Sequence, residues 1–549
     1  MPTISGSAAR AEGSTACRRA CCYRPAMTGH HRALQLLRRR PDLAELAAYP
    51  FNVDIARDEH GEAVRLASGT ALEAVAGDDT GGTFFLCEGG EVLYAGSEGE
   101  AGLIADSVDE ALEVLIGLPG WHDYTGLDPH ADDNTLAAAA AETEDDLREY
   151  YGPDLDADRS ALLTALGLRE LPQAQLIRRL HRALLRTEPD FLLLNAEEGC
   201  AYTLLDRLPR PPLWQTVLEP GQADLALLRA DRTCWSKVAG DTARRATALR
   251  AAQYDRRELD LPVLRILLQH EAHCGATEEL RLAAVLVGLH GRDQDHRFLQ
   301  SLREASVDVH YLLGGFPDTA RELSRWAAEF DESNHGEDPA DEHELIWAEL
   351  ARRQGRTELA RVTLLRLLDD AGPGDADLLA GLAAEFARLG DFTQAARAQH
   401  LYASLQDDPG RRGAALADLA SLQRRAGDVE VAWRSVQRAV TVLDGPPPPP
   451  AMDQVALDLG LPEPERLTPT WRALGLGLSV AEEHFRIARA AAQVGLSAAA
   501  RASLAAGSAL LPELPRPTEA LRRLAREVAA ELDDGTSALP SIQPGSVGD

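Results

Sequence analysis

The feature that most constrains this chain is one residue pattern that occurs four times between positions 347 and 500. In each copy a large apolar residue precedes Ala, Gly follows that Ala by seven positions, and a second Ala follows the Gly by five. The copies are Trp347-Ala348-Gly355-Ala360, Leu382-Ala383-Gly390-Ala395, Leu419-Ala420-Gly427-Ala432 and Ile487-Ala488-Gly495-Ala500. Successive glycines lie 35, 37 and 68 positions apart. The last gap is about two periods of a repeat of roughly 34 residues, which is typical of stacked helix-turn-helix units.

Small residues at these positions predict two closely packed helices joined by a tight turn. The first Ala lies where one helix contacts its mate, the Gly permits the turn, and the second Ala lets the returning helix approach closely. A proline follows each turn glycine by 17 to 19 positions, where we expect the second helix to end. These prolines are Pro373, Pro409, Pro446 and Pro512.

This set of small residues, turn glycines and terminal prolines resembles the tetratricopeptide repeat (TPR) over about residues 340–515. Its best-matching turns are Gly390-Asp391-Phe392 and Gly427-Asp428. The pattern departs from the family at Pro446–Pro450 and on to about Thr470, so we expect the stack to break there. The resemblance implies a scaffold that binds protein partners.

Charge is distributed unevenly along the 549 residues, whose formal net charge is −31. Residues 1–40 contain eight arginines and one glutamate, whereas residues 41–160 contain 29 acidic side chains and four arginines, a balance of −25. A field of this sign repels nucleic acid phosphates and attracts basic proteins. We therefore expect a basic protein partner and no nucleic acid.

Composition also predicts the compartment. No apolar run approaches the length of a membrane helix, and the N-terminus lacks the apolar core of a signal peptide, so we predict a cytoplasmic protein with no membrane partner. The single lysine and abundant alanine are typical of a high-GC bacterium.

Residues 1–26, which contain Cys17, Cys21 and Cys22, are expected either to precede a true start at Met27 or to form a disordered arm. Those cysteines match no four-ligand zinc pattern.

Residues 64–121 predict a mixed α/β fold, because strand-like apolar runs alternate with polar turns. The expected elements are a strand at Thr83–Cys87, a turn at Glu88–Glu91, a strand at Val92–Ala95 and a short strand at Gly102–Ala105. Ser107 then precedes an amphipathic helix, and Glu110 lies three residues later, the spacing of a capping box. Pro119 is expected to end that helix.

This succession of hairpin, acidic turn, strand and capped helix, ending in Leu118-Pro119-Gly120-Trp121, resembles the C-terminal half of the SUKH superfamily over residues 45–125. The resemblance implies a binding domain, since bacterial members are largely immunity proteins that neutralise toxins, often nucleases. A nuclease presents a basic cleft, which an acidic surface fits. The candidate partner-binding residues are Asp78, Asp79, Glu88, Glu91, Glu98 and Glu100. The alternative is that these charges only solvate exposed turns.

The remaining chain divides by composition and periodicity. An acidic, Ala-rich stretch with a helix around Glu142–Glu149 is interpreted as a linker or docking segment, and apolar residues then recur at helical spacing. The predicted fold class is an α+β N-terminal domain, with a small antiparallel sheet and helices, followed by a mainly α-helical region ending in a TPR-like solenoid. The predicted domains are a SUKH-like domain at 27–126, an acidic linker at 127–160, an irregular α-helical domain at 161–332, repeats at 340–515 interrupted at 446–470, and a C-terminal helix with a disordered tail at 516–549.

One cluster, His270–Cys274, invites a metal ion. A zincin helix needs His at both ends of a five-residue frame, and here the fifth position is Cys274. His290 and His296 are further candidate ligands, but no second strong pair exists. A phosphate-binding loop is absent because the only lysine, Lys237, lies outside such a motif. We predict a protein that is not an enzyme and holds no metal or cofactor.

Arginines precede three of the turn glycines, at positions that line the groove of a TPR stack. We predict that they make this groove locally basic and that it binds an acidic peptide or a free C-terminus. The candidates are Arg352, Arg353, Arg388, Arg424 and Arg425. The alternative is that they only complement helix dipoles. A further hypothesis is that the acidic segment Glu142–Asp158 docks on them.

Two functions follow. The first is a non-enzymatic binding protein whose SUKH-like acidic domain captures a basic partner, as in toxin immunity, with TPR-like repeats as scaffold. The second is a TPR adaptor for an acidic peptide. The sequence predicts no oligomeric state.

Overall fold

The computed structural model describes residues 31–334, 336, 338–445, 471–473 and 475–537. The chain divides into two units: the first takes the residues up to Gly61 and Thr70–Leu184, and the second takes Glu62–Gly69 and the residues from Leu185 onward. Expectations for residues 1–26, for the interruption at 446–470 and for the tail beyond residue 537 lie outside the described residues. The strands are β1 (Val64–Leu66), β2 (Leu72–Gly77), β3 (Thr83–Cys87), β4 (Val92–Ala95), β5 (Glu100–Ala105), β6 (Leu193–Asn195) and β7 (Thr203–Leu204).

An antiparallel sheet with the order β2-β3-β4-β5 forms the centre of the first unit. The predicted strands at 83–87 and 92–95 are confirmed, and the third begins at Glu100 rather than Gly102. The hairpin pairs Thr83 with Ala95 and Leu86 with Val92. Every residue of β3 and β4 is buried, because helices cover the sheet.

Six α-helices lie in the described part of the first unit, and the predicted N-cap of the third is confirmed. Ser107 Oγ accepts a hydrogen bond from the Glu110 amide at 3.3 Å, and the helix ends before Pro119 as expected. The helices are α1 (Arg32–Arg39), α2 (Pro41–Ala48), α3 (Val108–Gly117), α4 (Asp133–Tyr151), α5 (Leu155–Leu166) and α6 (Gln173–Leu184).

The segment predicted as an acidic linker, residues 127–160, is instead a packed part of the first unit. Helix α4 buries Leu136, Ala140 and Glu144. The Glu144 carboxylate accepts a 2.5 Å hydrogen bond from Arg159, whose Nε donates to the Ile116 carbonyl. An acidic composition suggested a solvated segment, but the buried Leu136 and Ala140 and the buried ion pair of Glu144 lie on one face of α4, which packs on α6.

The second unit begins with a short antiparallel pair, in which Leu66 of β1 lies opposite Leu193 of β6. A series of helices without regular spacing follows, in agreement with the irregular helical region expected there. These helices are α7 (Thr187–Asp190), α8 (Leu213–Ala230), α9 (Trp235–Gly240), α10 (Thr242–Tyr254), α11 (Leu261–Glu271), α12 (Glu278–Gly288), α13 (Asp293–Ala305), α14 (Val307–Leu312) and α15 (Leu323–Asn334). The first 24 residues of the domain predicted at 161–332 instead lie in the first unit.

The repeated pattern forms helix pairs, each joined at its glycine. The pairs are α16 (Glu344–Arg353) with α17 (Thr357–Asp370), α18 (Ala376–Leu389) with α19 (Phe392–Ser404), α20 (Pro409–Ala426) with α21 (Val429–Leu443), and α22 (Gly475–Gln493) with α23 (Ser497–Leu510). A last helix, α24, spans Glu519–Ser537.

The small residues of these pairs lie where the pattern predicts. Gly355, Gly390, Gly427 and Gly495 all have positive φ, between 79° and 97°, a conformation that other residues adopt at a cost. The second alanine of every copy, from Ala360 to Ala500, is fully buried. The prolines follow less strictly, because Pro409 lies in the first turn of α20 and Pro512 lies in a 3₁₀ turn, while Pro446 falls outside the described residues.

The helices described on the two sides of residues 446–470 pack against one another. Helix α22 packs against α20 and α21, and a hydrogen bond of 2.6 Å joins Arg424 of α20 to Glu483 of α22. One hydrophobic core runs from Ala348 to Val528. Among the described residues, no helix is both long enough and apolar enough to cross a membrane.

Candidate partner-binding surface

Asp78 is a structural residue and does not belong to a binding surface, which corrects its sequence-based assignment. Its side chain is 2% exposed. One carboxylate oxygen accepts from the amides of Thr80 and Gly82, at 3.0 and 2.7 Å, and the other from the Tyr94 hydroxyl at 2.7 Å. Asp78 therefore closes the turn between β2 and β3, and a partner has no access to its charge.

The next residue, Asp79, projects from that turn into solvent. Its carboxylate accepts from Asn52 Nδ2 at 2.8 Å, and its amide donates to Asn52 Oδ1 at the same distance. Asn52 has a φ of 56°, a left-handed conformation that Asn tolerates better than most residues. The two reciprocal hydrogen bonds hold the carboxylate of Asp79 in one place without neutralising it.

Tyr151 lies near Asp79 and contacts two further tyrosines, Tyr49 and Tyr150. The ring of Tyr151 makes edge contacts with Tyr49, at 5.1 Å between centroids, and with Tyr150, at 4.8 Å. Tyr49 is 63% exposed and Tyr150 is 77% exposed. Burial, and then the negative charge of Asp79, raise the pKa of Tyr151. We call Tyr49, Tyr150, Tyr151 and Asp79 the tyrosine patch.

The tyrosines of this patch are not among the binding residues that the sequence predicts. Tyr150-Tyr151 ends an Ala-rich acidic helix, and Tyr49 lies a hundred residues earlier. The adjacent pair of aromatics at the end of α4 was a usable signal, since aromatic residues are enriched at protein interfaces. Their approach to Tyr49 and Asp79 depends on the packing of α4, which the sequence led us to treat as a linker.

The remaining acidic candidates do not form one surface. Successive turns of an antiparallel meander lie at opposite ends of the sheet. Glu98 and Glu100 share the end of Asp79, where Ser97 Oγ donates to the Thr80 carbonyl at 3.2 Å. Glu88 and Glu91 flank the hairpin turn at the opposite end. In the described part of the chain no cation pairs with these four glutamates.

The candidate arginines of the helix pairs are mostly neutralised within the second unit. Buried carboxylates bind them, from other helices or, for Arg388, from the same helix: Glu385 is 3% exposed, Glu483 is 4% and Glu279 is 6%. The ion pairs are Arg352 with Glu385 at 2.9 Å, Arg353 with Glu279 at 2.5 Å, Arg388 with Glu385, and Arg424 with Glu483 at 2.6 Å. Arg425 differs, since its guanidinium lies over the Phe392 ring, 3.9 Å from the centroid.

The expectation of a locally basic groove therefore does not hold for the first four arginines. Two further carboxylates lie on the same first helices. Burial, and then the nearby charge of Glu385, raise the pKa of Glu349. Burial, and then the charge of Glu483, raise the pKa of Asp418. The sequence shows the arginines of each helix, whereas the buried acidic partners of Arg352, Arg353 and Arg424 come from other helices; Arg388 has its partner, Glu385, on its own helix.

Arg245 contacts two residues of the His270–Cys274 cluster. Glu271 is 1% exposed and accepts a 2.6 Å hydrogen bond from Arg245 Nε. Another nitrogen of Arg245 lies 3.1 Å from Cys274 Sγ. Among the described residues, no three His, Cys, Asp or Glu side chains are grouped so that they could hold a metal ion.

Comparisons with known proteins give no match. No protein family, no curated protein and no solved structure matches this chain. The function is therefore inferred from the geometry of the described residues.

Proposed function

We propose that this protein is a non-enzymatic binding protein whose first unit captures a basic protein through the tyrosine patch. The observation that carries the proposal is the contact of the exposed Tyr49 and Tyr150 rings with Tyr151, which lies near the carboxylate of Asp79. Asn52 holds that carboxylate, which has no cation beside it among the described residues. Tyrosine and arginine dominate the energetics of protein interfaces. An arginine of a partner could stack on Tyr49 or Tyr150 while its guanidinium pairs with Asp79.

The wider charge of the first unit favours the same class of partner. Glu98 and Glu100 lie at the same end of the sheet as Asp79 and have no cation among the described residues. Such charges act mainly on the rate of association and on the choice of partner, while the aromatic rings supply contact area. A basic surface, as on a nuclease, fits both properties.

The SUKH-like pattern and the TPR-like helix pairs support a binding role. We infer that the first unit acts as an immunity-type domain and that the helix pairs form a TPR-like solenoid that serves as its scaffold. The adaptor alternative is less favoured, because the ion pairs of Arg352, Arg353, Arg388 and Arg424 leave little free positive charge for an acidic peptide.

The proposal is tested with the purified full-length protein and an arginine-rich peptide as probe, using fluorescence anisotropy. We expect saturable binding that weakens as salt rises. Tyr150→Ala and Asp79→Asn should each weaken it about tenfold, equivalent to about 1.4 kcal/mol, as expected for interface hot spots.

Matched variants separate the patch from general charge and aromaticity. Tyr311 is 78% exposed and lies in the second unit, so Tyr311→Ala removes an equally accessible tyrosine. Glu88→Gln removes one acid at the opposite end of the sheet and is the matched control for Asp79→Asn. Equal weakening by Tyr150→Ala and Tyr311→Ala, or unchanged binding by the patch variants, refutes the proposal.

A further inference from the structure

A pocket of about 240 Å³ lies in the second unit where α10, α11 and α12 meet. Its floor is apolar and consists of Ala252, Leu264, Leu286 and Leu289. The first three are between 2% and 4% exposed, so they are core residues whose outer atoms form the floor. At roughly 30 Å³ per water molecule, the space holds about eight waters. Water on an apolar floor has few polar partners, so an apolar side chain displaces it favourably.

The loop at the rim of this pocket presents one leucine to solvent. The 3₁₀ turn Glu258–Asp260 forms one side of the pocket, and both of its end residues line it. Between them, the side chain of Leu259 is 89% exposed, more than any other large apolar side chain in the described part of the chain. An exposed apolar side chain therefore lies directly beside an apolar pocket.

Ion pairs fix this loop in place. Arg229 donates to Asp260 through two nitrogens, at 3.0 and 2.7 Å, and also pairs with Asp255 at the start of the loop. Arg256 binds Asp331 of α15 through two nitrogens, at 2.7 and 3.0 Å. Because the loop is held at both ends, little conformational entropy is lost when its exposed leucine becomes buried in an interface.

The charges beside Leu259 indicate which kind of partner fits. Arg257 is 59% exposed and pairs at 3.1 Å with Asp255, which is itself 52% exposed. Glu258 is exposed, and among the described residues no cation pairs with it. A rim with both signs side by side is complementary to a copy of itself turned about a two-fold axis, since Arg257 of each copy then faces Glu258 of the other. A partner of one sign would leave one of these two charges opposed by a like charge.

We propose that the protein forms a dimer in which Leu259 of each copy fills the pocket of the other. A two-fold contact needs the inserted side chain and the receiving pocket on one face of the molecule, and here they are adjacent. A contact centred on one leucine and its rim is smaller than the roughly 800 Å² per partner of a standard interface, so the dimer is weak and depends on concentration. This face lies in the second unit and is independent of the tyrosine patch.

Sedimentation equilibrium of the full-length protein over a range of concentrations tests the proposal. We expect a reversible equilibrium between monomer and dimer. Leu259→Asp should weaken dimerisation at least tenfold, because a carboxylate loses its hydration when it enters an apolar pocket. The side chain is exposed in the monomer, so this variant should keep the circular dichroism spectrum of the wild-type protein.

Two charge variants test the two-fold arrangement. Glu258→Arg should weaken the dimer, because like charges then face each other, and the double variant Arg257→Glu/Glu258→Arg should restore it by exchanging the two signs.

The matched control is Val307→Asp, which introduces the same charge at an aliphatic side chain that is 71% exposed elsewhere in the second unit. This variant should dimerise like the wild-type protein. A wild-type protein that stays monomeric at every concentration overturns the proposal, as does a dimer that Leu259→Asp leaves unchanged or that Val307→Asp weakens equally. A double charge variant that dimerises no better than Glu258→Arg overturns the two-fold arrangement.

Discussion

In the first unit the carboxylates of Asp79 and Glu98 face solvent and have no cation beside them among the described residues, whereas in the helix pairs the carboxylates of Glu385 and Glu483 are buried against arginines. Both regions are rich in charge, but these two pairs of carboxylates differ in exposure. The reason is composition: residues 41–160 contain 29 acids and four arginines. Arg40, Arg169, Arg178 and Arg179 from outside this range pair with Asp42, Glu113 and Asp133, but acids remain in excess. A count of charges is therefore informative about binding only where one sign predominates.

The comparison is sharpened most by removing an acid of the first unit that is buried and fully hydrogen-bonded. Asp78→Ala leaves the Tyr94 hydroxyl and the Gly82 amide buried without acceptors, and we expect it to destabilise the first unit by about 3 kcal/mol. Hydrogen exchange of the amides in β3 and β4 measures this free energy locally.

The matched variant for Asp78 is Glu98→Gln, which removes an exposed charge from the same end of the sheet. A surface substitution of this kind should change the free energy of unfolding by less than about 0.5 kcal/mol. If both variants lower the protection of β3 equally, the distinction between bonded and free acids in this unit is wrong.

A second test removes a buried carboxylate from the helix pairs. Glu385→Gln leaves Arg352 and Arg388 without a counter-charge, and we expect a loss of about 2 kcal/mol, below the range for fully buried pairs because both arginines are partly exposed. Urea unfolding measures the change in the free energy of unfolding, and hydrogen exchange of the α18 amides measures the local change.

The control for that test is Glu430→Gln, since Glu430 and Arg434 form an ion pair with both side chains more than 60% exposed. Such a pair contributes little, so the change should stay below about 0.5 kcal/mol. A loss as large as that of Glu385→Gln would show that burial does not decide the strength of these pairs.

The smallest of the three expected effects concerns pH. Burial lowers the pKa of His484 from 6.5 to about 4. The neutral form is favoured in the folded state, so this stabilisation is complete above pH 6.5 and is lost as the pH falls towards 4. At pH 5.5 we expect the wild-type protein to have lost about 1.4 kcal/mol relative to pH 7.5.

His484→Asn should remove this pH-dependent component, and the difference between the two proteins in urea unfolding at the two pH values measures it. The control is His290→Asn, which leaves His484 in place and should therefore keep the pH-dependent component that His484 contributes. Identical pH profiles for wild-type and His484→Asn would contradict the assignment.

Much of the local structure followed from the sequence because its determinants are local. The Ser107 cap, the hairpin at 83–95 and the four glycine turns depend on residues within a few positions of one another. The prediction of an α+β region followed by a mainly helical one is confirmed at that level.

The parts that could not be predicted depend on contacts between distant residues. Asp78 is buried because Tyr94 reaches it from another strand, and Arg352 is neutralised by Glu385, 33 residues later. The tyrosine patch joins Tyr49 to Tyr150 and Tyr151 across a hundred positions. Residue type and local spacing contain no information about such pairings.

The membership of Glu62–Gly69 in the second unit has a consequence for biosynthesis. Leu66 of β1 leaves the ribosome 127 residues before its partner Leu193. At 5–20 residues per second, this strand waits between about 6 and 25 s for its partner. The remaining part of the first unit, Thr70–Leu184, emerges during that interval. The chain passes between the two units more than once, so fragments cut at any single position do not separate them, and a fragment that begins at Leu185 leaves β6 without its neighbour.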